Sequence, residues 1–279
     1  MTSKHRATTA ITALTCGAAL LAMASCTGAA AADDPDGGEG DLAKKSAQQI
    51  SDDALHELLG ATSLRLRTQT SGDPTKLDLS LDRDSNCAGS ISKGPAGRVE
   101  LIKRGPQVWM KPDAAFWKGQ LPGSEGSDAA KQYEGRYLHG TTDDTFLKQL
   151  SGACDLSAFQ KQIAGPSERP SGSPSPSASA PALTKGKPTV HEGSRVLPIV
   201  KKSGPITQTL YVAIDGKHYP LKLTAAADQQ TGTILLSNYG APVPDKTPAP
   251  GDTLDISVLE NRVKKASPGS PSDEAAVTG

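Results

Sequence analysis

Between residues 64 and 111 the chain holds five short strand-like segments in direct succession, each ended by a tight turn. Leu64, Leu66, Thr68 and Thr70 alternate with Arg65, Arg67 and Gln69, and Leu77, Leu79 and Leu81 alternate with Asp78, Ser80 and Asp82. A period of two places the apolar set on one face of an extended strand. Ser71-Gly72-Asp73-Pro74, between the two, supplies the residue types of a hairpin turn. Residues 87–92 and 98–104 add strands around Lys93-Gly94-Pro95-Ala96-Gly97, and Gly105-Pro106 turns the chain into residues 107–111. Linkers this short leave no room for the helical crossovers of βαβ units, so the segment has to form an antiparallel meander.

The flanks add helices and a second set of strands. Ala47, Ile50, Ala54, Leu55, Leu58 and Leu59 recur at three- and four-residue spacing, which predicts a helix over 44–59 stopped by Gly60. Residues 113–163 change character, with short helices expected at 143–150 and 155–163. Their apolar faces are Phe146, Leu147 and Leu150, then Leu156, Phe159 and Ile163. Strands are expected at 189–200, 207–215, 217–225 and 233–239, with turns at Asp215-Gly216 and over 228–232. The Pro- and Ser-rich stretch 165–187 cannot bury enough apolar surface to order itself. It either separates two domains or forms a long disordered insert in one. The second is preferred, because four strands alone bury too little to stand independently. One domain is therefore expected over 42–263, with a polar, disordered tail at 264–279.

The N-terminus addresses the chain to a membrane. Lys4 and Arg6 precede an apolar and small-residue run that ends in Met23-Ala24-Ser25-Cys26, which looks like a bacterial lipobox. That resemblance implies a signal peptide over 1–25, cleavage before Cys26 and acylation of Cys26 as the new N-terminus. Two or three acyl chains anchor stably, at about 0.8 kcal/mol per buried CH2. The alternative is an ordinary secretory signal cut near Ala30–Ala32. Residues 26–41 then form a lipidated, acidic tether, spanning roughly 20 Å as a coil. The location implied is the extracytoplasmic face of the bacterial cell membrane, with the membrane itself as the first partner.

Loss of residues 1–25 removes Lys4 and Arg6 and no acid, so the formal net charge falls from 0 to −2. Such a chain has no basic face for nucleic acid. Two cysteines remain beyond Cys26: Cys87 and Cys154. Export to an oxidising compartment favours a disulfide between them over two separately buried thiols. Neither sits at a metal-ligand spacing, and His56, His139, His191 and His218 have no ligand partner at such spacing, so no metal or cofactor is called for. His56 and His218 read as solvated side chains. Nucleophile elbows, zinc-protease helices, phosphate loops and dinucleotide fingerprints are all missing from the sequence, so no catalytic residue is assigned and the chain is not read as an enzyme. The acid pairs Asp52-Asp53 and Asp143-Asp144 fall on a polar helix face or at a helix start. Trp109, Phe116 and Trp117 form the densest aromatic cluster. They serve either core packing or the wall of an apolar ligand cavity.

The order of these parts resembles the LppX and LprG group of actinobacterial cell-envelope lipoproteins, whose fold is similar to LolA. Two segments carry the resemblance best. One is the hairpin Leu210-Tyr-Val-Ala-Ile-Asp-Gly-Lys-His-Tyr-Pro-Leu-Lys-Leu223, with its proline in the return strand. The other is Leu236-Ser-Asn-Tyr-Gly-Ala-Pro-Val243. The Cys87 and Cys154 pair and the Pro/Ser insert depart from the plain pattern. The resemblance implies an α+β fold in which a strongly curved antiparallel sheet, a half-barrel, wraps around a few α-helices and leaves an apolar cavity. Members of the group carry acylated lipids, so a lipid or glycolipid ligand is implied. The alternative is a non-catalytic interaction or sensor module whose inward Leu, Val and Ile side chains fill a solid core.

Overall fold

The computed structural model describes residues 37–164 and 182–266. Every described residue belongs to one compact unit. Cys26, most of the expected tether, the Pro/Ser stretch 165–181 and residues 267–279 lie outside the described residues.

Two helices come first, α1 (Gly37–Lys44) and α2 (Ala47–Gly60). The meander follows as β1 (Ser63–Thr70), β2 (Thr75–Asp82), β3 (Cys87–Lys93), β4 (Arg98–Arg104) and β5 (Gln107–Pro112). Then come helices α3 (Ala114–Gln120) and α4 (Gly123–Gln132), strand β6 (Tyr137–Thr141), and helices α5 (Thr145–Ser151) and α6 (Leu156–Ala164). The second set of strands is β7 (Leu183–Lys185), β8 (Thr189–His191), β9 (Ser194–Ser203), β10 (Ile206–Ala213), β11 (Pro220–Ala227), β12 (Gln230–Ser237) and β13 (Thr253–Asp255), and it ends in α7 (Ser257–Ala266).

All the described strands join one curved, unclosed sheet in the order β13-β6-β5-β4-β3-β2-β1-β12-β11-β10-β9-β7, with β8 paired to β9 off that path. The two sets of strands meet where β1 pairs with β12, Leu66 opposite Leu236. The sheet is antiparallel except at one edge, where β13 lies parallel to β6. The fold is α+β, with the helices on the inner face of the sheet.

Several boundaries differ from the sequence expectation. The helix expected over 44–59 is α2 and starts at Ala47, because Ser46 takes the N-cap position after α1 has ended at Lys44. Its hydroxyl accepts from the Gln49 amide at 3.1 Å, and the Gln49 side chain accepts from the Ser46 amide at 2.8 Å, a closed capping box. The helix α1 begins at Gly37, inside the expected tether. The short strand β7 forms within the last residues of the expected insert, because Leu183 and Lys185 pair with Lys201 and Ile199. The strand expected over 189–200 is broken into β8 and β9 by Glu192 and Gly193, both at positive φ. The turn expected over 228–232 narrows to Asp228 and Gln229, whose φ values of 47° and 72° make the two-residue hairpin that matches strand twist. The expected tail begins too early, since α7 runs to Ala266 and buries Leu259.

The core has two parts. The larger lies under the meander and holds Leu79, Leu81, Leu101, Met110, Trp117, Leu138 and Leu147, each at most 1% exposed. The smaller packs Leu42 of α1 and Ile50 and Ala54 of α2 against Ile199, Val212 and Ile214. Cys87 and Cys154 form a disulfide inside the larger core, with Cα atoms 5.4 Å apart and both residues fully buried. It ties β3 to the turn before α6.

Candidate functional site

On the inner face of β9 to β12 and β1, side chains stand in rows set by the strand register. One row is Ile199, Leu210, Leu223, Ile234 and Thr68, each paired with its neighbour across the sheet. Two residues nearer the hairpin turns, the next row is Lys201, Gln208, Ala225, Gly232 and Thr70. The first row is apolar over four of its five positions. The second is polar at its ends and small in its middle.

Helices cover this face only in part. Ser51, Leu55 and Leu58 of α2 and Gln162 and Ile163 of α6 stand opposite the two rows across a gap of about 670 Å3 that is open on one side. Leu210, Leu223 and Ile234 point toward the helices yet remain half-buried. An inward strand residue that helices fail to cover is the mark of a groove rather than of a filled core. The volume falls within the roughly 300–1,000 Å3 typical of small-ligand pockets.

Buried polar side chains fix the wall formed by the helices. Gln160 of α6, 5% exposed, donates through Nε2 to the carbonyls of Leu58 (2.8 Å) and Ala61 (3.0 Å). Arg83 adds Nη2 to Leu59 O at 2.6 Å and Nε to Ala61 O at 3.1 Å. Together they bond the carbonyls of Leu58, Leu59 and the capping Ala61, where the backbone ladder of α2 ends. Lys185 does the same for α1, donating to the carbonyls of Ala43 and Lys45 at 2.9 and 2.8 Å. Replacing Gln160 with Ala removes two hydrogen bonds and leaves Leu58 O with the Ala61 amide and Ala61 O with Arg83 Nε, each at 3.1 Å. Gln160→Ala is expected to destabilise the fold by about 2 kcal/mol, measured by urea unfolding. A loss below about 0.5 kcal/mol would show that the bonds to α2 do not hold this wall.

Of the two segments that carry the sequence resemblance, the first supplies Leu210, Pro220 and Leu223 to the groove and the second packs against the first. Pro220 opens β11 at a bulge between Tyr211 and Val212 and lines the groove. Tyr239 and Tyr219 stack at 4.0 Å, and the Tyr239 hydroxyl donates to Pro220 O at 2.5 Å. Burial holds the Tyr239 phenol far above its ordinary pKa, so it stays a donor at any working pH.

The three aromatic candidates do not line the groove, and this corrects the cavity alternative raised from the sequence. Trp117 and Phe116 are 1% and 8% exposed in the larger core, edge-on to one another with ring centres 6.0 Å apart. Trp109 lies on the outer face, stacked on His139 at 4.8 Å. Aromatic bulk fills the half of the sheet where it occurs, and the groove opens where Ala225 and Gly232 leave the inner face bare. Once β10, β11 and β12 are paired, the sequence carries that signal: small residues opposite each other on an inward row.

The titratable groups singled out in the sequence fall elsewhere. His56 is exposed. His218 is not the solvated side chain expected: its side chain is 16% exposed, with Nδ1 3.1 Å from Ala213 O and Nε2 3.6 Å from the Asp41 carboxylate of α1. Asp144 accepts from the Thr141 amide at 2.6 Å, Asp52 from the Gln48 side chain at 2.8 Å, and Asp53 pairs with Lys45 at 3.2 Å. On the outer face Arg65 forks onto Asp78 at 2.7 and 2.8 Å and holds its carboxyl below the ordinary carboxylate range. Among the described residues no three His, Cys, Asp or Glu side chains gather in a way that would hold a metal ion.

No family model matches the chain, and no curated protein does. Among solved structures, it is similar to LprF from Mycobacterium bovis, with 15% identity over 73% of this chain and 97% of that one and a TM-score of 0.47. It is likewise similar to the lipoprotein LppX from Mycobacterium tuberculosis, with 12% identity over 72% of this chain and 98% of that one and a TM-score of 0.42. No helix among the described residues is long and apolar enough to cross a membrane.

Proposed function

We propose that this protein is a membrane-anchored lipoprotein of the bacterial cell envelope that binds an acylated ligand in the groove between α2, α6 and the inner face of the sheet, and that it does so without catalysis. The observation that carries the reading is the half-buried row Leu210, Leu223 and Ile234, inward-facing and only partly covered across a gap of about 670 Å3. Each buried CH2 of an acyl chain laid along it contributes about 0.8 kcal/mol. The filled-core alternative requires those side chains to be packed. Folding of residues 42–263 as one domain belongs to the same reading, because the β1 to β12 pairing makes each half of the sheet cover an edge of the other.

Mass spectrometry of organic extracts from purified, unacylated protein tests it. Co-purifying acyl-chain compounds are the expected result, and a clean extract together with no uptake of added lipid refutes it. The anchor is tested separately. The Cys26→Ala variant is expected to leave the membrane fraction, either released or held as unprocessed precursor. Normal processing and membrane retention of that variant would dismiss Cys26 as the acylated residue.

A further inference from the structure

The groove is chemically lopsided. Of the residues that line it, Lys201 alone is ionisable. It stands on the inner face of β9 at the end of the mouth row, beside Gln208 and opposite Leu183 of β7. Among the described residues it makes no hydrogen bond or ion pair. Along the same row Gln208 and Thr70 add neutral donors, and Ala225 and Gly232 leave the space between them empty. A Cβ built on Gly232 meets only the Thr70 hydroxyl, at 3.9 Å. One row deeper the surface turns apolar.

A cation at the mouth, a neutral donor beside it and a half-covered apolar row behind it match an amphiphile in both order and charge. We propose that the ligand is an acyl compound with an anionic headgroup, a carboxylate or a phosphate, bound with that headgroup on Lys201 beside Gln208 and its chain along Leu210, Leu223 and Ile234. This rests on the lipid-groove reading above and gives it a polarity and a ligand class. Lysine suits the role as a compact point charge with three rotatable donors that accepts either anion.

The test uses the full chain carrying Cys26→Ser, so that it stays unacylated, and two fluorescent probes of one chain length, cis-parinaric acid and its methyl ester. The acid is expected to bind about tenfold more tightly than the ester, the size of one charge-assisted hydrogen bond at a half-exposed site. Lys201→Gln is expected to abolish that preference without weakening the ester, and Lys201→Arg to keep it. Ester binding by each variant also reports that it is folded. Equal affinity of the parent for both probes, or a preference that survives Lys201→Gln, overturns the headgroup assignment and leaves the groove reading standing. Failure of both probes to bind overturns the two together. Palmitate and lysophosphatidate then compete for the bound acid. Displacement by one or both supports the assignment and names the anion, and displacement by neither overturns it.

Discussion

Removing the Cys87–Cys154 bridge is expected to lower the stability of the fold by about 4 kcal/mol. The bridge closes a loop with a sequence separation of 67, and on the chain-entropy model a loop of that length restricts the unfolded chain by about that amount. The native contacts hardly change, because both cysteines sit fully buried among apolar side chains that remain in place. Most of the effect therefore acts through the unfolded state. Urea unfolding of the Cys87→Ala, Cys154→Ala double variant against the oxidised parent measures it. The midpoint should fall and the m-value rise, since a chain without the crosslink exposes more surface on unfolding. A shift of less than about 1 kcal/mol would mean that the two sulfurs are not joined in the exported protein.

The meander was legible because its strands are long enough to show their period and are joined by turns with distinctive chemistry. The alternation of β1 and β2 identifies Leu64, Leu66, Leu79 and Leu81 as inward residues, and all four are buried. Elements stabilised by distant partners were not legible. β7 and β13 are three residues each, too short for any periodicity, and exist through pairing with β9 and β6. β6 contains Gly140 and lies between β5 and β13. The helix α4 was not foreseen, since Gly123-Ser-Glu-Gly-Ser carries two glycines at roughly 1 kcal/mol each against helix formation. Gly126 is nevertheless needed there. A Cβ at that position would lie 2.7 Å from Lys118 Cα and 2.9 Å from the Trp117 and Leu121 carbonyl oxygens, so only glycine lets α4 pack flush on α3.

The groove shows the same division. Its apolar row could be listed strand by strand, but its location depends on register. Thr70 and Gly232 become neighbours only through the β1 to β12 pairing, across 162 positions of chain. Aromatic density in the sequence therefore pointed to the packed half of the sheet. The site lies in the other half, among residues too small or too polar to stand out alone.

Filling that space should abolish binding without harming the fold. Gly232 lies in β12, faces the groove and has no atom within 4 Å of a built Cβ except the Thr70 hydroxyl. Its backbone conformation is one that any L-residue adopts, so a side chain there brings no strain. Gly232→Phe places an aromatic ring across the mouth row, between Ala225 and Thr70. Glycine inside a strand costs roughly 0.5–1 kcal/mol relative to alanine, and phenylalanine favours strands, so stability should hold or rise. At about 2–4 °C per kcal/mol for a chain of this size, the thermal midpoint should stay level or increase by a few degrees. Affinity for both parinaric probes should fall at least tenfold, while Gly232→Ala should raise the midpoint slightly and keep most of the binding. The two readings of the inner face predict opposite results here. If helices and sheet already fill the space, Gly232→Phe overpacks the core and costs about 1–3 kcal/mol. Such a loss, or binding that persists in a stably folded Gly232→Phe protein, would remove the groove as the ligand site.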